Sequence, residues 1–372
     1  MDFSFSPSEK ELYARMRALG DELSLLPAEE RLCALARAGV LGLALPAELG
    51  GGAYSLLATA HAFEALGYSL NDGGVLLAAG AHLFGVGLLV LKVGSDAQKN
   101  RWLPKLARGE VLATVAATES SSGSDIAKME AVAENIGECT AFRLWGHKPY
   151  VTLAHEAGLY LVIARDGKEG RGLTALLLPR ETAGIVVLPK HKTLGLAGAG
   201  LAGLRFEGCE LSGEALLGKA GAGFSVFQMA MTFERALILA FRVGAMERAL
   251  QDCIRFARTR ELGGVAISKY QAISQRIARM KLRLETSRLL LYRSAWILDQ
   301  QHERGQADAA LTKWHLSESA LESALDALKI RGGEGFLEES GLGAGVDDAL
   351  GGWIHSGTGD VLANIVAKWL GL

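Results

Sequence analysis

The stretch Ala116-Ala117-Thr118-Glu119-Ser120-Ser121-Ser122-Gly123-Ser124-Asp125 divides this chain into unlike parts. Ala113-Thr114-Val115 leads into it and reads as a short strand. The Ser/Gly-rich turn that follows gathers backbone N–H groups and several hydroxyls at one spot. Such a spot suits a phosphate or a flat polar ring; the plain alternative is a solvated loop. The order of elements on either side decides between them.

Upstream the pattern is helical. Ser6-Pro7-Ser8-Glu9 carries a capping box with Pro at the first helical position, and Leu12, Met16, Leu19 and Leu23 form one apolar face. A second helix over 28–38 stops at Gly39, and after the loop 45–52 further helices are expected near 54–67, 74–93 and 96–108. From about 112 to 217 short apolar runs replace the helical spacing, with strands predicted at 159–164, 173–178, 185–188 and 204–206. Long helices return near 222–258, 268–300 and 307–330, followed by a Gly-rich break at 332–346 and a last helix near 360–370. Helices, a β unit and helices again define an α+β chain with domains 1–111, 112–220 and 221–372.

Of the 372 residues 49% are hydrophobic, and 39 basic against 41 acidic side chains leave no electrostatic footprint for nucleic acid or an anionic membrane. Cys33, Cys139, Cys209 and Cys253 are far apart, which points away from structural zinc and toward a reduced, cytoplasmic setting. Met1-Asp2-Phe3-Ser4-Phe5 lacks the basic start and apolar core of a secretory signal. Gly73 to Leu91 holds no charge and is long enough to span a bilayer, yet it is rich in Gly and Ala and contains His82. It reads as a core helix, with no membrane.

The turn at 116–125, placed after an all-helical first third, resembles the flavin-binding signature A-T-E-x-x-x-G-S-D of the acyl-CoA dehydrogenases. Trp102-Leu103-Pro104-Lys105-Leu106-Ala107-Arg108-Gly109-Glu110 is similar to the family's segment before its first strand. Trp145-Gly146-His147-Lys148 resembles its N-G-x-K strand, Gly332-Gly333-Glu334-Gly335 its G-G-x-G turn, and Ser356-Gly357-Thr358 its x-G-T site. Together these landmarks cover nearly the whole length. The resemblance implies an N-terminal helical domain, a β-barrel-like middle domain, a C-terminal four-helix bundle, bound FAD and a homotetramer.

By that resemblance Ala117 and Thr118 meet the isoalloxazine edge, and Gly123 and Ser124 the phosphate-bearing side. Tyr150, where the family usually has Trp, lies against the ring with Thr152 nearby. Arg260, with Gly332 and Gly333, serves the FAD of a neighbouring subunit, and Thr358 supports the phosphates. The family sets its catalytic carboxylate either just before the C-terminal Gly-Thr or on the first long helix after the β domain. The first position is Ser356, which cannot be a base near neutral pH and keeps a role through its backbone N–H. The second is Glu234, among Met229, Met231, Phe233, Leu237 and Ile238. A single carboxylate is chemically sensible, since two would repel and raise each other's pKa.

Ser124, Arg242 and Gly357 are candidates for contact with substrate. Arg242 follows Glu234 by eight residues, about 12 Å along a continuous helix, and could pair with a buried acid or meet the acyl group. Met280-Lys281-Leu282-Arg283-Leu284-Glu285 and the bases behind it resemble the branch that oxidises prolyl groups on peptidyl carrier proteins, as does 125–129. Three features depart from the family: Gly263 where it has Phe, Lys329 where it has Gln, and no Arg-Asp in Val346-Asp347-Asp348-Ala349-Leu350. The expectation is FAD-dependent α,β-dehydrogenation of an acyl or aminoacyl thioester on a carrier protein. The alternatives are a short- or branched-chain acyl-CoA dehydrogenase and a degenerate member that binds without redox turnover. The electron acceptor is not encoded legibly.

Overall fold

A computed structural model describes residues 4–136, 141–167 and 172–372; Met1, Asp2, Phe3 and Cys139 lie outside the described residues. Helix α1 (Pro7–Ser24) starts as its sequence dictates: the Ser6 side chain accepts from Glu9 N, and the Glu9 carboxylate accepts from Ser6 N. Helix α2 (Ala28–Arg37) is followed by Gly39, whose φ of 78° lies in the left-handed region. Ser55 caps α3 (Leu56–Ser69) and Asp72 caps α4 (Gly73–Gly80).

The helix expected at 74–93 is not uniform. After α4 the backbone widens into a π turn over Ala81–Gly87 before resuming as α5 (Leu88–Val93). Every residue from 73 to 90 is buried, so the uncharged run that could span a bilayer spends its apolar surface on the core. Helix α6 (Asp96–Ala107), capped by Ser95 and Gln98, leads to the sheet.

The strands are β1 (Ala113–Ala116), β2 (Val132–Ile136), β3 (Ala141–Val151), β4 (Leu159–Asp166), β5 (Leu173–Pro179), β6 (Ile185–Lys190) and β7 (Ala202–Ser212). Their order is β1-β4-β2-β3-β7-β6, with β5 on the other edge of β4. Parallel β1 takes the first half of β4, from Leu159 to Val162, and parallel β2 takes its end, at Arg165 and Asp166. Two strands sharing one edge in succession make the sheet curl around its own core of Phe142, Leu144, Tyr160, Val162 and Phe206.

The C-terminal helices are α7 (Gly223–Leu237), α8 (Ala240–Thr259), α9 (Gln271–Asp299), α10 (Gly305–Arg331), α11 (Leu342–Ile354) and α12 (Gly359–Trp369). The single helix expected at 222–258 breaks at Ile238-Leu239, both buried, where Leu239 has ψ near 10°. No Gly or Pro marks the break; tertiary packing sets it. The Gly-rich 332–346 is half wrong as well. A short 3-10 turn covers Gly332–Phe336, but α11 forms despite Gly343, Gly345, Gly351 and Gly352, each costing about 1 kcal/mol against Ala. Burial of Ala349 and Gly352 against the bundle offsets part of that cost. Helices α3 and α8 cross at Gly67 and Gly244, where a Cβ on either would collide with the other helix's backbone carbonyl.

Candidate active site

The turn after β1 is held from below by a buried ion pair. The Glu119 carboxylate accepts from Glu130 N at 2.5 Å, Ala131 N at 2.9 Å and Lys148 Nζ at 2.7 Å. Lys148, fully buried on β3, also donates to Ala117 O at 2.8 Å. Burial pulls its ammonium down to about 8, against the opposing pull of Glu119. Ala117 is thereby buried and Thr118 half-buried, while Gly123 and Ser124 stay exposed above the brace. Two and four residues beyond Lys148, Tyr150 presents a ring 53% exposed and Thr152 is half-buried. Ser122 Oγ is buried without a partner, and open space lies where a side chain on Gly123 would stand. An idle hydroxyl beside an open cradle fits the polar, phosphate-bearing cofactor expected here. The sequence reading used Glu119 and Lys148 only as letters of motifs; a lysine at an inward position of β3 was the available signal.

Glu234 lies on α7, and its Oε1 accepts from Ser356 Oγ at 2.5 Å. Ser356 belongs to the link between α11 and α12 and has φ of 56°, a left-handed conformation that costs a residue with a Cβ roughly 1–2 kcal/mol. Two cations hold it there: Arg235 Nε donates to Ser356 O at 2.8 Å, and Lys313 Nζ, fully buried on α10, donates to Gly357 O at 2.6 Å. Lys313 is a residue the sequence reading missed. Burial and the nearby Arg235 charge push its ammonium down to about 7, with Glu234 opposing. Glu234 keeps some exposure, yet desolvation raises its carboxyl above the usual range, opposed by the Ser356 hydrogen bond and by Arg235 and Lys313.

The other oxygen of Glu234 faces the π turn. A Cβ built on Gly85 would stand 3.4 Å from Glu234 Oε2 and 3.3 Å from Val115 Cγ2 on β1. Gly85 thus stands between the carboxylate and Val115 of β1, the strand that leads into the Ala117–Ser124 turn. π turns are frequent at functional positions because they re-aim one stretch of helix. His82 ties this turn to its surroundings: Nε2–H donates to Leu106 O at 3.1 Å and Nδ1 accepts Ala113 N–H at 3.0 Å.

Other expected site residues fall elsewhere. Arg242 does not face Glu234 along one helix, because the chain breaks between them. It is buried on α8, donates to Asp348 O at 2.6 Å and lies 3.6 Å from the half-buried Asp348 Oδ2. Arg260, Gly332 and Gly333 are exposed on the helical part, and Thr358 is the residue before α12. Gly263 and Gly264, at φ 60° and 77°, form the two-residue turn between β8 (Glu261–Leu262) and β9 (Val265–Ala266). Glycine there serves a tight hairpin that favours positive φ at both positions. Lys329 is exposed. The bases of α9 are spent on structure: Arg283 pairs with Asp326 and Glu322, Arg288 with Glu64 and Glu247, and Arg293 with Asp308.

Helical flanks surround a curled sheet, and Glu234 is set near β1. The chain belongs to the acyl-CoA dehydrogenase family: the family's N-terminal domain matches residues 8–110, its middle domain 114–209 and its C-terminal domain 221–371. Members are FAD-dependent oxidoreductases acting on CH–CH bonds. An L-prolyl-[peptidyl-carrier protein] dehydrogenase of Pseudomonas fluorescens is 36% identical over the full length of both chains. The crystal structure of the prolyl acyl carrier protein oxidase AnaB superposes with a TM-score of 0.94 at 32% identity, over 99% of this chain and 100% of that one. The FAD complex of PigA does so with 0.94 at 30% identity, over 100% of both.

Proposed function

We propose that this protein desaturates a prolyl-type aminoacyl thioester on a carrier protein, with Glu234 as the base. The observation that carries the reading is the position of Glu234, whose Oε1 is held by Ser356 and whose Oε2 opens past Gly85 toward β1. In this reading Oε2 takes the proton from the carbon next to the thioester carbonyl. A desolvated carboxylate with a raised pKa is the better acceptor near neutral pH. Ser356 and Gly357, in positive-φ geometry held by Arg235 and Lys313, aim a backbone N–H at the thioester oxygen and favour the enolate-like charge that develops. FAD supplies the acceptor for the hydride that leaves the neighbouring carbon. Ala117, Thr118, Gly123, Ser124, Tyr150 and Thr152 would hold it, and Arg260, Gly332, Gly333 and Thr358 would serve it from a neighbouring subunit.

A homotetramer is the assembly the family resemblance implies, and Phe336, Ile354, Leu370, Leu372, Leu282 and Leu289 are among the large apolar side chains exposed on the helical part. The 36% identity over the full length of a carrier-protein dehydrogenase supports the substrate. The test is anaerobic mixing of FAD-loaded protein with L-prolyl-carrier protein, L-prolyl-CoA and isovaleryl-CoA, following loss of the flavin absorption band. Fastest bleaching by the carrier-bound ester is the expected result. Equal or faster bleaching by either CoA ester would overturn the carrier-protein assignment in favour of a short- or branched-chain acyl-CoA dehydrogenase.

A further inference from the structure

His355 has no role in the reading above, yet its ring touches the base through one intervening hydroxyl. Its Nδ1 lies 3.1 Å from Ser356 Oγ, which lies 2.5 Å from Glu234 Oε1. Its Nε2 is buried with no hydrogen-bond partner. A serine hydroxyl has one proton. If that proton is given to Glu234, the oxygen has only lone pairs to offer His355, and Nδ1 must carry the ring's hydrogen.

We propose that His355 and Ser356 are positioning residues: a His355 Nδ1–H···Ser356 O–H···Glu234 Oε1 string holds one carboxylate oxygen and reserves Oε2, at the Gly85 opening, for the substrate proton. The proposal rests on Glu234 being the base. Protonated Nδ1 with a bare Nε2 is the neutral Nδ1–H tautomer, whose one N–H is aimed at Ser356 Oγ. Burial, and then the charges of Lys313 and Arg242, push its pKa down to about 3, so it stays neutral at working pH. The other groups around the carboxylate are already engaged. Arg235, on the same helix, is bonded to Ser356 O, and Lys313 on α10 to Gly357 O. Arg242 on α8 is bonded to Asp348, and His82 on the π turn to Leu106 and Ala113. Among the described residues the Ser356 hydroxyl is thus the one side chain hydrogen-bonded to Glu234.

Two readouts test the string, one of them independent of turnover. Nitrogen-15 spectra of histidine-labelled protein, with the His355 signals identified by their loss in His355→Asn, are expected to show neutral Nδ1–H. The second is the acid limb of the pH profile for flavin reduction. A hydroxyl donating to a carboxylate favours its charged form, so Ser356→Ala moves the limb up by about one pH unit. Ser356→Gly, which accepts φ of 56° without strain, is expected to do the same and guards against a folding defect in the alanine variant. His355→Phe moves the limb the same way by less, and His355→Asn, which keeps a donor near the δ position, by less again. A neutral Nε2–H tautomer, or an unmoved limb in both Ser356 variants while Glu234→Gln is silent, overturns the string. Wild-type reduction by Glu234→Gln is a different failure: it removes the base, and the Oε2 assignment with it.

Discussion

Replacing Glu119 by Ala strands three donors at once: Lys148 Nζ, Glu130 N and Ala131 N. Lys148 is fully buried, and removing one partner of a buried ion pair costs about 3–5 kcal/mol, because the survivor is left charged in an apolar setting. The cost is bounded by the option of shedding the proton. The lysine already sits at about 8 with Glu119 present, and goes lower without the opposing carboxylate. The unfolded chain, with its lysine near 10.5, then binds more protons across the interval between the two values, so the variant recovers stability as pH rises through it. At pH 7 we expect a thermal midpoint lower by roughly 4–6 °C. Because Lys148 also anchors Ala117 O, FAD should be lost on dilution at concentrations where the wild type retains it. Lys148→Met should cost less, about 1–3 kcal/mol, since Glu119 keeps its two amides. The double variant should fall short of the sum by 1 kcal/mol or more. Circular dichroism melts and the flavin absorption band measure both quantities. A Glu119→Ala protein that melts within 2 °C of wild type at pH 7 and holds FAD as tightly would refute the reasoning, as would strict additivity.

Glu234→Gln keeps the shape and removes the base, so flavin reduction by substrate should slow on the order of 10²–10⁴-fold with FAD still bound, as stopped-flow bleaching will show. Gly85→Val should close the space before Oε2 and slow the same step on the order of 10²-fold with unchanged FAD absorbance; wild-type rates would remove Gly85 from the site. Gly263→Phe, attractive from family likeness because it restores a missing aromatic, should cost about 1–2 kcal/mol at φ of 60°, visible as a lower melting midpoint. His61 and His82 are pushed down to about 4 by burial from an ordinary 6.5. The unfolded chain binds more protons between those values, so stability is full above 6.5 and falls as pH drops through the window, and His82→Gln should flatten part of the fall in a pH series of melts.

The sequence by itself determined what is encoded over a few neighbouring residues. The Ser6–Glu9 and Ser95–Gln98 caps, the stop at Gly39 and the strands around 159–164 and 173–178 follow from local hydrogen bonding and alternation, and the structure has them in place. The family was legible because short motifs, the 116–125 turn and the segment around Glu234 among them, stand in a fixed order along the chain. Tertiary structure decided what depends on residues meeting across the chain. Glu119 and Lys148 are 29 residues apart, and Ser356 and Glu234 are 122 apart, so neither pair leaves a local trace. The π turn at Ala81–Gly87 and the break at Ile238-Leu239 occur without Pro and inside buried apolar runs, where packing against β1, α7 and α3 outweighs backbone preference. Arg242 shows the same division: its sequence spacing placed it on the face of Glu234, and the helix break turned it to Asp348. Local propensity is worth tenths of a kcal/mol per residue, while a buried charge left unpaired costs several, so the distant partner fixes the outcome.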